Sequence, residues 1–119
     1  MKLLILNFLI KNTGSIKYRT HIQKIGWQDY KTNNELSGTT GKGLRLEAIQ
    51  IELTGEISQY YDIYYRVHAQ NYGWLGWAKN GEAAGTSGYG LRLEGMQIIL
   101  VKKGATAPTP TSNSYVCKK

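Results

Sequence analysis

Apolar and polar side chains alternate along several short segments of the chain, and no segment shows the longer period of an amphipathic helix. Over residues 65–70, tyrosine, valine and alanine fall on one face, while Arg66, His68 and Gln70 fall on the other. Strict alternation of this kind is typical of a β-strand with one face buried and the other in solvent. The pattern therefore predicts an all-β protein.

The alternation changes phase once in each half of the chain. Leu91 and Leu93 share one parity, Met96 and Ile98 share the opposite one, and the change falls at Gly95. The first half shows the same change across Ala48. A change of phase without loss of strand character predicts a β-bulge or a sharp corner, with a short turn between two strands as the alternative.

The two halves are copies of one unit. Residues 16–53 align without a gap with residues 63–100 at a constant offset of 47, and Gly26-Trp27, for example, matches Gly73-Trp74. Repetition at such a period indicates a fold assembled from repeated units. We therefore divide the chain into an apolar N-terminal segment (1–15), a first repeat (16–53), a connector (54–62), a second repeat (63–103) and a tail (104–119).

About four short strands per repeat are expected, in a pseudo-symmetric β-prism or β-trefoil-like arrangement. Both architectures are normally three-fold, so two units can leave an open face. An extra strand from Met1–Ile10 or formation of a homo-oligomer would fill it.

Asparagine and glycine mark the tightest turn of each repeat. Asn80-Gly81 is the strongest short signal for a β-hairpin, because a type I′ turn needs positive φ at both central residues. Asn33-Asn34 is a weaker form of the same turn. Gly38–Gly43 lacks the spacing of a phosphate-binding loop and precedes no helical pattern, so it is interpreted as a turn-rich connection.

The two ends of the chain differ in composition from the repeats. Met1–Lys11 is apolar but too short to span a bilayer, and no small-residue cleavage site follows it, so a strand or a ragged end is favoured over a signal peptide. From Gly104 the chain is rich in Pro, Thr and Ser, which predicts a linker that does not pack. Cys117 is the only cysteine and lies in this tail.

Charge narrows the choice of partner. The formal net charge is +7 and the isoelectric point is about 9.5, which favours an anionic partner such as a cell-wall polymer. The lysines are scattered, and no dense basic patch with interleaved aromatic residues occurs, so nucleic acid is not expected. No cysteine cluster indicates a metal, and no cofactor is expected.

The repeated residues resemble the ChW family, the clostridial hydrophobic repeats with a characteristic tryptophan. The resemblance rests on Tyr65–Trp74, Trp77, Asn80–Glu82, Gly85–Gly88 and Leu91–Glu94, and it extends from residue 16 to about residue 101. It implies a secreted or surface-displayed protein of a Gram-positive, clostridial-type bacterium. Family members commonly carry such repeats in sets of three beside hydrolase or adhesion domains, whereas two occur here.

Six polar residues on the two alternating strands are candidates for ligand binding: Arg19, His21, Gln23, Arg66, His68 and Gln70. A row of arginine, histidine and glutamine offers donors and acceptors suited to sugar hydroxyls or to an anionic group. The alternative is structural. The arginines would pair with Glu47 and Glu94, and the histidines would complete a buried polar network that fixes the register of each repeat.

Aromatic residues after the first strand form the second set of candidates. Trp27 and Trp74 follow a glycine in both copies and are expected in the core, since tryptophan brings a large apolar area. The next aromatic position is Tyr30 in one copy and Trp77 in the other, and an exposed ring would tolerate that exchange. We therefore expect Tyr30 and Trp77 to be exposed platforms for a sugar, oriented by turn residues Glu35, Asn80 and Glu82.

No nucleophile with a base, carboxylate pair or metal set is visible, and two equal copies suit multivalent binding better than catalysis. The sequence predicts a non-catalytic module that binds carbohydrate or glycoprotein at a cell surface. The alternative is a structural spacer or a protein–protein assembly module of a larger extracellular protein.

Overall fold

The computed structural model describes residues 2–4 and 14–118, with side chains for 14–118. In chain order its strands are β1 (Lys2–Leu4), β2 (Ser15–Ile22), β3 (Gly26–Trp27), β4 (Lys31–Thr32), β5 (Leu36–Gly38), β6 (Leu46–Thr54), β7 (Tyr61–Ala69), β8 (Gly73–Trp74), β9 (Ala78–Lys79), β10 (Ala84–Ser87), β11 (Leu93–Lys102) and β12 (Tyr115–Cys117). Of the predicted apolar strand at the N-terminus, residues 2–4 form β1, and the remainder lies outside the described residues.

The all-β, repeated architecture is confirmed. Each repeat contributes five strands, two long and three short, where about four were expected. The long strands pair antiparallel in matching register, with Tyr18 opposite Ile51 in β2–β6 and Tyr65 opposite Ile98 in β7–β11. Short strands β3 and β4 flank β2, while β8 and β9 flank β7. The prism or trefoil description stays a prediction.

The remaining short strand of each repeat reaches outside its own unit. β10 of the second repeat pairs antiparallel with β6 of the first, with Ala84 opposite Ile49. The equivalent strand β5 pairs with β1 instead. The result is a six-stranded sheet in the order β12-β10-β6-β2-β3, with β4 also beside β2, a four-stranded sheet in the order β11-β7-β8, with β9 beside β7, and the β1–β5 pair.

Local sequence signals are confirmed at the turns and at the phase changes. Asn80 and Gly81 have φ values of 41° and 87°, and Asn33 and Asn34 have 23° and 72°, as a type I′ turn requires. The register shifts at both predicted bulges. Glu94 has no opposite partner between the pairs Leu93–Ala69 and Gly95–His68. Glu47 takes the same place in the first repeat.

One continuous apolar core joins the two repeats. The inner faces of β2, β6, β7 and β11 supply most of it, and its buried members include Tyr18, Ile51, Tyr65 and Leu93. The connector adds Ile57 from a short 3₁₀ helix, Glu56–Gln59. Because the core residues of both units touch one another, the repeats form a single packed body.

The tail packs against both repeats, so the prediction of an unpacked linker is wrong. β12 pairs in parallel with β10, and the N–H of Trp77 donates to the carbonyl of Pro110 at 2.9 Å. Gly76 allows this approach, because a Cβ added there would lie 2.0 Å from the carbonyl oxygen of Ser112. Composition favoured a linker, but main-chain hydrogen bonds to an open strand edge decide the outcome.

Candidate functional site

Each repeat carries six side chains at equivalent positions, on the outward face of its long-strand pair and on the segment that follows its first long strand, and five of the six are identical. We call them the first stripe and the second stripe. The first stripe consists of Arg19, His21, Trp27, Tyr30, Glu47 and Gln50, and the second of Arg66, His68, Trp74, Trp77, Glu94 and Gln97.

Arg66 lies at the centre of the second stripe. Its guanidinium carbon is 4.6 Å from the ring centre of Trp74 and 4.9 Å from that of Trp77. Its Nε donates to the Oε1 of Gln97 at 2.6 Å, because the β7–β11 register places these two residues opposite each other. A cation against two indole rings is stabilised by their π-electrons, and the flat guanidinium suits such stacking.

His68 continues the stripe on the other side of Trp74. The two rings meet edge to face, with centres 5.3 Å apart and an angle of 87° between their planes. Nδ1 of His68 lies 3.2 Å from Oε1 of Glu94, the unpaired residue of the bulge. The bulge thus turns a carboxylate towards the histidine face. A carboxylate at Nδ1 favours the tautomer in which Nε2 is an acceptor.

The first stripe repeats this geometry. Arg19 lies 5.0 Å from the ring centre of Trp27 and 4.8 Å from that of Tyr30. His21 meets Trp27 edge to face at 5.2 Å, and its Nδ1 is 2.9 Å from Oε1 of Glu47. Tyr30 therefore replaces Trp77 as the second ring beside the arginine.

The alternative prediction, in which the polar candidates form a structural network, is right about the network and wrong about its pairs. His21 and His68, and not Arg19 and Arg66, contact Glu47 and Glu94, and Arg92 lies 3.9 Å from the second oxygen of Glu94. The arginines bond to the glutamines opposite them, Gln50 and Gln97. The proposed arginine–glutamate pairing is wrong because the bulge brings each glutamate beside the histidine.

The exposed and buried aromatic rings are not the ones that the sequence predicted. Trp77 is only 8% exposed, and Trp74 is 44% exposed, so both expectations for the second repeat are wrong. The tail explains Trp77, since Pro110 and Ser112 lie against the Leu75–Trp77 segment. Tyr30 is exposed as predicted, and Trp27 is partly exposed rather than buried in the core.

The tail also distinguishes the two stripes. Tyr115 of β12 lies against Trp27, with ring centres 6.4 Å apart. Burial raises the pKa of the Tyr115 phenol. Glu47 is buried, whereas Glu94 is exposed. The first stripe is therefore partly covered, while Trp74, His68 and Glu94 of the second stripe face solvent.

Five predicted site residues lie outside the stripes and bond to main-chain groups. Gln23 and Gln70 accept from the N–H groups of Arg45 and Arg92. Glu35 and Glu82 accept from Thr32 and Lys79 across their turns, and Asn80 accepts from Ile63. The hydrogen bond from the Thr32 N–H, with a second from its hydroxyl, lowers the pKa of Glu35. These side chains shape the turns.

The sequence-based prediction of the site lacked three residues of each stripe, which are Trp27, Glu47 and Gln50 in the first and Trp74, Glu94 and Gln97 in the second. A signal existed for the glutamines, because Gln50 and Gln97 repeat at the 47-residue offset on otherwise apolar strands. A repeated polar residue inside an apolar strand indicates a fixed partner on the outer face. The exposure of Trp74 had no local signal.

The fold and the stripes define an all-β tandem-repeat protein that presents a stacked aromatic and arginine surface on each unit. Residues 21–55 and 68–102 match the model of the family described as Clostridial hydrophobic W, ChW. The two matches cover more than half of the chain, which therefore belongs to this family of repeat modules of extracellular proteins. Neither the curated proteins nor the solved structures contain a match.

Among residues 2–4 and 14–118, no helix is long and apolar enough to cross a membrane. The described side chains include no group of three or more histidines, cysteines or acidic residues arranged to hold a metal ion.

Proposed function

We propose that the chain is a non-catalytic attachment module of a secreted or surface-displayed protein, and that it recognises carbohydrate, free or on a glycoprotein, through the second stripe. The exposed ring of Trp74 carries this proposal. It is 44% exposed and lies between Arg66 and His68, which both contact it. A flat ring held in place can stack on the apolar face of a sugar with little loss of side-chain freedom.

Polar groups beside the ring supply orientation. Nε2 of His68 and the exposed carboxylate of Glu94 can accept hydrogen bonds from sugar hydroxyls, and the Gln97 amide can donate. The net charge of +7 supports attraction to an anionic cell-wall polymer. A site with one stacked ring and a few polar groups should bind its ligand weakly and reversibly.

Binding to a glycan array and to insoluble peptidoglycan tests this proposal. Trp74→Ala should weaken binding to any glycan that the wild type retains by on the order of tenfold, or ~1.4 kcal/mol. Tyr72→Ala is the matched control, because Tyr72 is similarly exposed at 45% but lies outside the stripe. Equal binding by both variants, or absence of any retained glycan, would contradict the proposal.

A further inference from the structure

A cleft lies where the turn after β2 meets the loop that follows β10 of the second repeat. It has a volume of about 480 Å³, and its walls are His21, residues 23–26 and Glu47 of the first repeat, with Gly88 and Gly90 of the second. We call it the inter-repeat cleft. A cavity of this size can hold a small molecule such as a monosaccharide.

Hydrogen bonds hold the two walls of the inter-repeat cleft in place. The guanidinium of Arg45 donates to the carbonyl of Gly90, which ties the second repeat to the first. The N–H of Gln23 donates to the carbonyl of Arg45 at 2.8 Å, and its Oε1 accepts from the N–H of Arg45 at 3.2 Å. The walls are therefore already arranged before a ligand binds, which lowers the entropic cost of binding.

Glu47 is the most buried polar side chain of the cleft, at 3% exposed. Its Oε1 lies 2.9 Å from Nδ1 of His21, and none of the described residues hydrogen-bonds to its second oxygen. A buried carboxylate oxygen without a partner costs free energy, and a hydroxyl group of a ligand would satisfy it. The floor of the cleft therefore suits a ligand that carries hydroxyl groups.

Basic side chains surround the mouth of the cleft. Lys24 belongs to its wall, Arg45 contacts Gly90, and the side chain of Lys118 passes beside Gly88. None of these three basic residues forms an ion pair with any carboxylate that the structure describes. The mouth should therefore repel a ligand ammonium and attract a carboxylate or a phosphate.

The second repeat does not form this cleft within the described part of the chain. His68 and Glu94 are the equivalent residues, and their side chains are 39% and 36% exposed, against 18% and 3% for the pair in the cleft. Asn71 stands where the first repeat has Lys24. The cleft is thus a property of the junction between two repeats and not of the single unit.

We propose that the inter-repeat cleft binds an acidic sugar residue, with hydroxyl groups at Glu47 and a carboxylate or phosphate group at Lys24. Such a sugar supplies a donor for the floor and an anion for the mouth. A neutral sugar supplies only the first, and a simple anion supplies only the second. The cleft shares no residue with the second stripe, so this site does not depend on the proposed stacking at Trp74.

Titration of isotopically labelled protein, followed by amide chemical shifts, tests the proposal with four small molecules. D-glucuronate and D-glucose-6-phosphate carry both groups, D-glucose carries hydroxyl groups only, and acetate carries an anion only. At least one acidic sugar should shift the amides of residues 23–26 and 88–90, with a Kd on the order of 1 mM. D-glucose and acetate should bind more weakly, by about fivefold, because each lacks one contact. Comparison of the two acidic sugars shows whether carboxylate or phosphate is preferred.

Lys24→Gln and Lys102→Gln form a matched pair of variants, because both lysines are exposed and Lys102 lies outside the cleft. Lys24→Gln should weaken binding of the acidic sugar by about two- to fivefold, and Lys102→Gln should leave it unchanged. Trp74→Ala should also leave it unchanged, so failure of the second-stripe proposal and failure of this one are distinguishable. Absence of shifts at the two walls with both acidic sugars, equal affinity for acetate and the acidic sugars, or equal affinities of the two lysine variants overturns the proposal.

Discussion

Arg66 illustrates how a partly exposed side chain is fixed in this protein. Two indole rings hold its guanidinium plane, and Gln97 accepts from its Nε. A long arginine side chain normally loses considerable rotamer freedom when it is ordered, so these contacts offset that cost within the folded protein. The stripe is therefore already arranged before any ligand arrives.

Asp62 forms the most connected charged site among the described side chains. Its Oδ1 accepts from Lys103 Nζ at 2.6 Å and from Asn80 Nδ2 at 2.8 Å, and its Oδ2 lies 3.7 Å from Lys79 Nζ. The hydrogen bond from Lys103, followed by that from Asn80, lowers the pKa of Asp62. The site joins β7 to the β9 turn and to the end of β11.

The lowered pKa of Asp62 gives a pH prediction. A depressed folded-state pKa adds stability above the unfolded value, near 4, and this stability is lost as the pH falls through the folded pKa. Asp62→Asn should therefore lower the melting temperature at neutral pH, and the difference from wild type should shrink in acid. Thermal denaturation at several pH values measures this difference in melting temperature. Asp29→Asn is the control, because Asp29 is exposed. A difference that persists unchanged in acid would contradict the assignment.

At the scale of elements, the tail has the largest effect on the site. It buries Trp77 through Pro110 and Ser112, and it places Tyr115 on Trp27 of the other repeat. A segment with the composition of a linker thus covers one ring of each stripe.

Gly76 tests the docking of the tail. Gly76→Ala should displace it, because the new Cβ would meet the Ser112 carbonyl oxygen at 2.0 Å. We expect tryptophan fluorescence to shift to the red as Trp77 becomes exposed to solvent. The free energy of unfolding should fall by about 1–3 kcal/mol. Gly95→Ala is the matched control, because the nearest atom would be 3.9 Å away and the equivalent residue is Ala48. Identical spectra for the two variants would refute tail docking at Gly76.

Elements that depend on neighbouring residues could be predicted from the sequence, and those that depend on distant ones could not. The Asn80-Gly81 turn and the bulge before Gly95 follow from local backbone preferences and from alternation. The burial of Trp77 and the partial covering of Trp27 depend on a tail more than thirty residues away. The sequence predicted where the bulge lies. The pairing of His68 with Glu94 could not be predicted, because it also depends on the geometry of the bulge.

At the scale of the whole molecule, the two repeats share one core and should unfold together. Because the core cluster contains buried residues of both units, a core change in one repeat should destabilise the other equally. Neither repeat therefore has a complete core of its own, and the two are expected to unfold in one cooperative transition.

Ile51 and Ile98 test this shared core with the same substitution at equivalent positions. Ile51→Ala should cost about 2–5 kcal/mol, because it leaves a cavity at a fully buried site. Ile98→Ala should cost less than about 1 kcal/mol in dilute solution, because its side chain is partly exposed. Denaturant unfolding followed by tryptophan fluorescence and by circular dichroism should give one coincident transition. Separate transitions for the two probes would indicate independent repeats.

The different covering of the two stripes by the tail has a consequence for binding stoichiometry. The arginine, histidine and tryptophan of the stripe occur twice in the sequence. The sequence alone would therefore predict two equal binding sites. Tyr115 lies against the tryptophan of the first stripe and leaves that of the second open. A ligand that stacks on an open indole ring therefore meets one such ring per chain. Under the proposed function, multivalent attachment would then depend on how many chains are displayed together and not on the duplication within one chain.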